Sequence, residues 1–392
     1  MISGMNLKDT RSIIFPVIIL VFIGTLMVYS STALMSMRKY GGGFHYLWNH
    51  LFTVFVGTVA MLLLARIDFQ KIRPFVYVLL GVSLVMLLFV FVPGIGIEAN
   101  GARRWLRLWP TTFQPSELAK VVTVIFLADY MDKNIHRMRE FKYGIAIPAG
   151  VILVFQTIII MQPDFGAVIS LSILTVFLLI LGGARLRHIG LLILMSLPAI
   201  YILVFSSAYR MKRIMCFTDP WKDPFGCGFQ LVQSFIAFGS GSFFGVGLGG
   251  SRQKLYFLPE VHTDFIFSII GEELGLVGVF TVVGVFVWLF IKGIKLAERT
   301  DAPFAYFLTI GLTMMIGVQA IINFAVSTGL MPTKGLPLPF ISYGGSALLI
   351  NMAAAGILLN ISKRNNSGPV EMDTLSHSQS LGNNYMRRMR CK

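Results

Sequence analysis

The chain has 392 residues, of which 55% are hydrophobic and only 13% are charged. Soluble domains carry about 25% charged residues, so the composition excludes an ordinary soluble protein and predicts a polytopic membrane protein. The net charge of +15 does not favour a nucleic-acid partner, because the basic residues lie in short loops between apolar spans and form no single patch with interleaved aromatic residues. Three cysteines without CxxC pairs or metal-ligand spacing to histidine do not favour a structural zinc site.

Apolar stretches long enough to cross a bilayer recur along residues 1–361, which we treat as one all-α membrane domain. The first stretch is longer than the apolar core of a secretory signal, and no small-x-small cleavage site follows it, so we predict a membrane helix. The predicted transmembrane helices number about ten, and their ranges are 13–33, 47–65, 75–92, 115–131, 144–161, 165–183, 189–206, 265–291, 304–325 and 341–361.

The loops between these spans predict their orientation. Most of the 33 Lys and Arg residues fall in segments that share one side of the membrane if the amino terminus is cytoplasmic, as the positive-inside rule requires. We therefore predict that both termini are cytoplasmic. The tail 362–392 is polar and lacks apolar periodicity, so we expect it to be disordered.

Two segments are predicted on the opposite side: 93–116, and the long loop 207–263 between the seventh and eighth spans. The dipeptide "NG" at 100–101 predicts a tight turn in the shorter segment. In the longer one, "FQLVQSFIAFG" predicts a short amphipathic helix and "GSGSFFGVGLGG" a flexible stretch. Cys216 and Cys227 lie in this loop and could form a disulfide in an oxidising compartment; the bridge and the free thiols are both open.

Ionisable side chains are costly at membrane depth, so each of them is a candidate for function. Glu117 and Lys120 lie three residues apart on one face of the fourth span, where they can pair. Two interpretations stay open. The pair is either a salt bridge that makes two buried charges tolerable, or part of a polar cavity in which Lys120 meets an anionic group.

Three carboxylates lie near the start of the eighth span. Asp264 is at the entrance, where an acid commonly caps the amide groups of a helix. It could instead act as a general base at the mouth of a membrane cavity. Glu272 and Glu273 are consecutive and therefore diverge by about 100° around the helix. A structural role and a catalytic or substrate-contacting role are both open for these glutamates, and we place Glu272 among the substrate-binding candidates.

The outer segments also collect basic side chains, among them Arg104 and Lys334. Arginine binds phosphate in a bidentate way, so basic groups beside an acid-lined entrance suit a lipid that carries a diphosphate. The segment 331–348, "MPTKGLPLPFISYGGSAL", combines prolines with paired glycines and predicts a broken or re-entrant start of the last span. Ser342 and its polar neighbours can satisfy the freed backbone groups there, and packing and ligand binding are both open.

Several strings together resemble the SEDS family, named for shape, elongation, division and sporulation. They are "NGARRW", "QPSELAK", "QPDFG", "DPW", "GFQLVQS", "LPEVHTDFIFSIIGEELG" and "GLPLPFISYGG", and they run in order over nearly all of residues 13–361. "NGARRW", "PTKGL" and "IGEELG" look more like the division member of the family, or its sporulation relative, than the elongation member. Pro337 departs from this pattern, because division members often carry threonine at that place.

The resemblance implies a ten-helix enzyme of the bacterial inner membrane that polymerises lipid II into glycan strands. It implies that the enzyme works with a class B penicillin-binding transpeptidase and, for the division type, with other divisome membrane proteins at the septum. Asp264 matches the family's essential acid, and Glu117 and Lys120 match its buried ion pair. Arg104 matches the loop arginine before tryptophan, and Lys334 matches the lysine of "PTKG".

These residues support the hypothesis of an inverting glycosyl transfer at the outer, periplasmic face. Asp264 would take the proton from the acceptor's GlcNAc 4-hydroxyl, while basic side chains or a divalent cation, Mg²⁺ or Mn²⁺, hold the leaving diphosphate. Glu272 and Ser342 would contact the substrate. Two other hypotheses stay open: a flippase that moves lipid II without making a glycosidic bond, and a non-catalytic scaffold for the transpeptidase.

Overall fold

The computed structural model describes residues 7–99, 101–108, 111–206, 208–256, 262–333 and 335–365. Within these residues the chain is mainly helical and contains one small antiparallel sheet. The helices are α1 (Leu7–Tyr40), α2 (His45–Leu64), α3 (Val76–Phe89), α4 (Pro115–Lys133), α5 (Ile147–Met161), α6 (Phe165–Leu181), α7 (Leu186–Phe205), α8 (Ala208–Thr218), α9 (Phe229–Gly241), α10 (Gln253–Tyr256), α11 (Ile266–Glu298), α12 (Pro303–Ser327) and α13 (Gly345–Asn365). The strands are β1 (Gly96–Ala99), β2 (Ala102–Leu108) and β3 (Thr111–Phe113).

Each predicted span coincides with a helix, so the all-α prediction is confirmed. The first seven spans correspond to α1–α7 and the last three to α11–α13. Among the described residues, seven helices are long and apolar enough to cross a membrane. The three others are α4, which carries several charged residues, and α6 and α7, whose described apolar segments are Phe165–Leu181 and Leu186–Pro198. The count of ten spans therefore stays a prediction. The last helix, α13, begins at Gly345, a few residues after the predicted start of the last span.

The shorter outer segment folds as a sheet in the order β1-β2-β3, which the sequence did not predict. Ala99 pairs with Ala102 across the turn predicted at 100–101, as expected for a two-residue hairpin loop. Gly101 has a φ of 73°, a conformation that glycine adopts without steric cost. Pro115 then occupies the first turn of α4, so the sheet leads directly into the end of α4 that carries the ion pair.

The most buried spans are α12 and α13, in which 78% and 83% of the apolar window lies inside the molecule. In the spans that contain α2 and α3 this share is only 17%, so these helices lie at the periphery and expose apolar side chains. Nearly all residues of α4 are also buried. Polar groups on α4, α12 and α13 therefore lie away from lipid and need partners within the protein.

α11 is interrupted at Gly275, whose φ of 64° and ψ of −162° are not helical. The backbone of the glycine-rich loop 242–247 fills this break. Two amide groups of α11 donate to loop carbonyls, and two loop amide groups donate to α11 carbonyls, at 2.9 to 3.3 Å. A Cβ at Gly275 would lie 2.4 Å from the amide nitrogen of Gly245. The prediction that this stretch is flexible is wrong for the part that docks into the break.

The long outer loop contains α8, α9 and α10. The amphipathic helix predicted from "FQLVQSFIAFG" is confirmed as α9. A disulfide joins Cys216, in the last turn of α8, to Cys227, just before α9, with a Cα–Cα distance of 5.9 Å. The bridge closes the turn-rich segment between the two helices. Of the two alternatives, a disulfide and free thiols, the structure has the disulfide.

Candidate active site

Several of the family-like strings meet at the end of the helix bundle where β3 joins α4. Its centre is the irregular segment 328–344 between α12 and α13, much of which is buried. Gly24 of α1 packs against this backbone, because a Cβ at Gly24 would lie 2.6 Å from the Cα of Ile341. Phe340 adopts a φ of 64°, which is unusual for a bulky residue. The last span thus has the broken start that the sequence predicts, and protein covers it.

Asp264 lies at the border of this segment, two residues before α11 begins at Ile266. The N-cap position of α11 is Phe265, which makes no side-chain capping bond, so Asp264 lies one residue before the N-cap. Its carboxylate instead lies beside Gly335, where a Cβ would be 3.3 Å from Oδ2. The Asp264 side chain is half-buried and so stays within reach of an entering molecule. Lys334, predicted to bind the diphosphate, lies outside the described residues.

Asn323 on α12 holds the backbone of Asp264. Its Nδ2 group donates to the Asp264 carbonyl oxygen at 2.9 Å and to the Leu336 carbonyl oxygen at 2.8 Å. One buried amide therefore ties the turn that carries the acid to the irregular segment. Asn323 is not among the residues predicted from the sequence. The available signal was a pair of amides, Gln319 and Asn323, four residues apart on one face of an apolar helix.

Glu117 and Lys120 form the predicted ion pair, and each residue is 1% exposed. Lys120 Nζ lies 2.8 Å from both carboxylate oxygens of Glu117 and 3.3 Å from Oε1 of Gln319. Gln319 Nε2 donates in turn to the carbonyl oxygen of Pro337 at 3.0 Å. Polar contacts thus run from the ion pair to the segment beside Asp264. The pair is shielded from solvent, and contact between Lys120 and an anionic group stays a prediction.

Ser342 holds the same turn from within the irregular segment. Its hydroxyl accepts a hydrogen bond from the Leu338 amide at 2.8 Å and donates to the Thr263 carbonyl at 2.6 Å. These bonds satisfy freed backbone groups, as the sequence predicts. A substrate contact by Ser342 stays a prediction.

Three aromatic rings pack beside the Asp264 turn. Tyr46 of α2, His262 and Tyr343 have ring centroids 5.5 to 5.8 Å apart. The Tyr343 amide also donates to the His262 carbonyl at 2.8 Å. The rings therefore give this end of the site an amphipathic wall that connects α2 to the turn.

Arg104 of β2 binds the turn before α6. Its guanidinium donates to the carbonyl oxygens of Gln162, at 3.2 Å, and Pro163. Asp164 follows in the chain; it caps α6 and accepts a hydrogen bond from the Gln114 side chain at 3.0 Å. These contacts join the "NGARRW", "QPDFG" and "QPSELAK" strings. The role of Arg104 in binding diphosphate stays a prediction.

Glu272 and Glu273 contact different neighbours, as their spacing predicts. Glu272 accepts hydrogen bonds from the Arg252 amide at 2.9 Å and from the Ser251 hydroxyl. Glu273 pairs with Lys254 at 2.7 Å. Both glutamates are buried and hold the loop after α9 against α11. These contacts favour the structural interpretation of Glu272, and its contact with substrate stays a prediction.

Comparisons with known proteins identify relatives that span nearly the whole chain. A family model described as "Cell cycle protein", covering FtsW, RodA and SpoVE, matches residues 10–367. The "Probable peptidoglycan glycosyltransferase FtsW" of Geobacter metallireducens is 40% identical over 369 residues, which cover 93% of this chain and 98% of that relative. The protein of the same name from Trichlorobacter lovleyi is 43% identical over 346 residues, covering 88% and 91%.

Solved structures share the fold. A chain from "Structural coordination of polymerization and crosslinking by a peptidoglycan synthase complex" is 29% identical, with a TM-score of 0.74, and the match covers 94% of this chain and 100% of that chain. The rod shape determining protein RodA of Thermus thermophilus is 27% identical, with a TM-score of 0.65, and the match covers 92% and 98%. The predicted resemblance is confirmed, including the greater likeness to the division member: this chain belongs to the FtsW/RodA/SpoVE family of cell cycle proteins, the SEDS family.

Proposed function

We propose that this chain is a peptidoglycan glycosyltransferase that polymerises lipid II at the outer face of the bacterial inner membrane. The names of the relatives support the activity. The observation that carries the site is the placement of Asp264, a half-buried acid whose turn is tied to the irregular segment by Asn323 and Ser342. General-base catalysis needs such an acid, held within reach of an entering hydroxyl group.

In the proposed reaction, Asp264 accepts the proton of the GlcNAc 4-hydroxyl group of one lipid II molecule. The hydroxyl oxygen forms a bond to the anomeric carbon of the growing strand, on the face opposite the diphosphate, so the configuration inverts. The bond from that carbon to the diphosphate oxygen breaks, and its electron pair leaves with the lipid diphosphate. Arg104 and Lys334 neutralise the charge that develops on the leaving group.

The buried ion pair supports this chemistry indirectly, through the segment beside Asp264. Glu117 and Lys120 reach Pro337 through Gln319, so they help to hold the segment that lies beside Asp264. Positioning matters because a shift of about 1 Å in a reacting group can cost on the order of 100-fold in rate.

A divalent cation, Mg²⁺ or Mn²⁺, is part of the proposal. In the described part of the chain, three metal-ligating side chains come together at Cys216, Asp223 and Cys227, but the two sulfur atoms are bonded to each other. An ion near Asp264 would therefore take most of its ligands from the diphosphate and water, an arrangement that suits Mg²⁺. When bound, it would neutralise the leaving diphosphate. We expect polymerisation to fall in EDTA and to return with excess Mg²⁺ or Mn²⁺.

We also propose that the chain works with a class B penicillin-binding transpeptidase at the division septum, beside other divisome membrane proteins. One structural relative comes from a peptidoglycan synthase complex, and curated relatives are named FtsW. The distribution of basic residues supports cytoplasmic termini. The Cys216–Cys227 bridge supports the same orientation, because disulfides persist mainly outside the cytoplasm.

Polymerisation of lipid II by purified Asp264→Asn protein, alone and with the transpeptidase, tests the proposal. We expect glycan synthesis to fall by at least about 100-fold, because general-base catalysis contributes roughly 10²–10⁴-fold. Asp301→Asn is the matched control: it makes the same change at an exposed residue between α11 and α12, and it should polymerise normally.

Near-normal glycan from folded Asp264→Asn protein would contradict the assignment of the base. No glycan from folded wild-type protein with its partner, in preparations that move lipid II between leaflets, would favour a flippase.

A further inference from the structure

α1 and α11 border a cleft at the end of the molecule opposite Asp264. It is lined by Ser12, Ile13, Lys292, Lys295, Leu296 and Arg299. Lys292 and Lys295 lie three residues apart on one face of α11, and Arg299, the C-cap residue, continues that face at i+7. The rise of 1.5 Å per residue places them roughly 40 Å along α11 from the active site. The proposed glycosyl transfer therefore makes no use of these charges.

Among the side chains that the structure describes, no acidic group pairs with the two lysines of the cleft. Within the described residues, neither the Lys292 nor the Lys295 ammonium group makes a hydrogen bond or an ion pair. Glu298 belongs to the same end of α11 but not to the lining. The helix dipole stabilises cations at the carboxyl end of a helix, which accounts for Lys295 in the last turn and for Arg299 at the C-cap. It does not account for Lys292, which lies about one turn earlier.

The helix surfaces next to the cleft are apolar on the side towards the membrane centre. Phe15 and Ile18 of α1 are 54% and 56% exposed, and Trp288 and Ile291 of α11 are 37% and 43% exposed. These side chains lie within about two turns of the cleft. A molecule with both a phosphate and acyl chains would match the cleft and these surfaces together, whereas a free phosphate would match only the cleft.

We propose that this cleft binds the headgroup phosphate of an anionic phospholipid. Lys292 and Lys295 donate to the phosphate oxygens, as basic pockets between membrane helices do on the cytoplasmic side, and the acyl chains lie along the exposed apolar side chains of α1 and α11. The orientation proposed above places the cleft in the cytoplasmic leaflet. The chemistry of the site is the same in either leaflet.

Native mass spectrometry of the full chain, released from nanodiscs of phosphatidylcholine and phosphatidylglycerol, tests this site. Wild-type protein should retain one phosphatidylglycerol in preference to phosphatidylcholine. The double variant Lys292→Gln/Lys295→Gln should lower that retention by at least about tenfold, because each lysine near a membrane surface contributes its own attraction to anionic lipid and the variant removes two. Arg66→Gln/Lys71→Gln removes two exposed charges predicted on the same side but outside the cleft, and it should retain the lipid.

Two results would overturn the proposal: equal retention of phosphatidylglycerol by both double variants, and equal retention of the two lipids by wild-type protein. Adding excess inorganic phosphate distinguishes a site for a lipid headgroup from a site for free phosphate. If phosphate releases all of the phosphatidylglycerol, the cleft binds free anions, and the proposal of a phospholipid site is also refuted. Equal melting temperatures of both double variants in phosphatidylcholine alone would confirm that they are folded. Nanodiscs carry the lipid in both leaflets, so a failure here leaves the proposed orientation and polymerase activity untouched.

Discussion

Asn323 is a single residue whose one side-chain amide binds two different parts of the candidate active site. Its Nδ2 group binds the carbonyl oxygens of Asp264, at 2.9 Å, and of Leu336, at 2.8 Å. Neither contact involves the Asp264 carboxylate, so Asn323 is a positioning residue for the proposed base. Loss of the amide would leave the acid present but free to move, and rates fall steeply with such movement.

Asn323→Leu removes the donor and keeps a side chain of similar size. We expect kcat for polymerisation to fall by about 10- to 100-fold while KM for lipid II changes little, because the acid shifts but the binding groups stay. Asn351→Leu is the matched control, since Asn351 is a buried amide that donates to the Ala347 carbonyl of its own helix at 2.8 Å. If both variants lose kcat equally at equal melting temperature, Asn323 contributes only to packing and the positioning role is contradicted.

The Glu117–Lys120 pair has a structural and a functional interpretation that a mutant cycle separates. Glu117→Gln or Lys120→Met alone leaves one buried charge unpaired, and we expect each to lower the free energy of unfolding by about 3–5 kcal/mol. The double variant removes both charges and should recover most of that loss, while making little glycan if Lys120 meets the anionic substrate. Thermal unfolding in detergent and polymerisation assays measure the two effects. Normal polymerisation by a stable double variant would leave the pair a structural role alone.

At the scale of residues, the sequence predicted neighbours on one helix better than partners from distant segments. The pairing of Glu117 with Lys120 follows from helix geometry, as does the divergence of the two consecutive glutamates on α11. The carbonyl groups that bind Arg104 belong to a turn about sixty residues away in the chain, and no local pattern encodes such a contact. The contact of the Asp264 carboxylate with Gly335 also joins residues about seventy positions apart, and no local pattern predicts it.

The break in α11 depends on a glycine and on a loop distant from it. Glu272 and Glu273, just before the break, bind the loop at Arg252 and Lys254. The long outer loop is therefore fastened to the helix segment that starts beside Asp264. We infer that the loop stabilises this segment, because a broken helix needs partners for its freed backbone groups.

Gly275→Ala should destabilise the protein. The pair φ 64° and ψ −162° is a conformation that essentially only glycine adopts and costs an alanine about 1–3 kcal/mol, and the alanine Cβ would lie 2.4 Å from the Gly245 amide nitrogen. We expect a lower melting temperature and faster cleavage of residues 242–247 in limited proteolysis. Gly284→Ala is the control on the same helix, where a Cβ would meet open space, and it should be neutral or stabilise by up to about 1 kcal/mol. Equal behaviour of the two variants would show that the break does not require glycine.

At the scale of elements, long helices were predictable and short irregular features were not. About 20 apolar residues identify a membrane helix by themselves, and each predicted span is a helix in the structure. The strands are only three to seven residues long, too short for a periodic signal. The break in α11 is hidden in a continuous apolar run. The glycine-rich loop was predicted to be flexible, but glycine also permits the close backbone approach that the loop makes here.

At the scale of the whole molecule, the polar chemistry lies at two opposite ends of an apolar bundle. Asp264 and its supporting contacts lie at one end, and the cleft of Lys292 and Lys295 lies at the other. Between them, the buried helices α4, α12 and α13 form the centre. This arrangement makes orientation decisive for function, because the lipid-linked sugar must meet the end that carries Asp264.

The three cysteines provide a test of that orientation. Cys216 and Cys227 are bridged in the long loop, whereas Cys391 is near the end of the tail, outside the described residues. On sealed spheroplasts, a membrane-impermeant maleimide should label Cys216 and Cys227 only after treatment with an impermeant reductant, because the bridge protects both sulfur atoms. Cys391 should react only after the membrane is permeabilised. Mass spectrometry of the labelled peptides measures both, with Cys391→Ser as the control. Labelling of Cys391 on sealed spheroplasts, with the loop pair protected even after reduction, would reverse the topology and place Asp264 on the cytoplasmic side, away from the proposed site of strand synthesis.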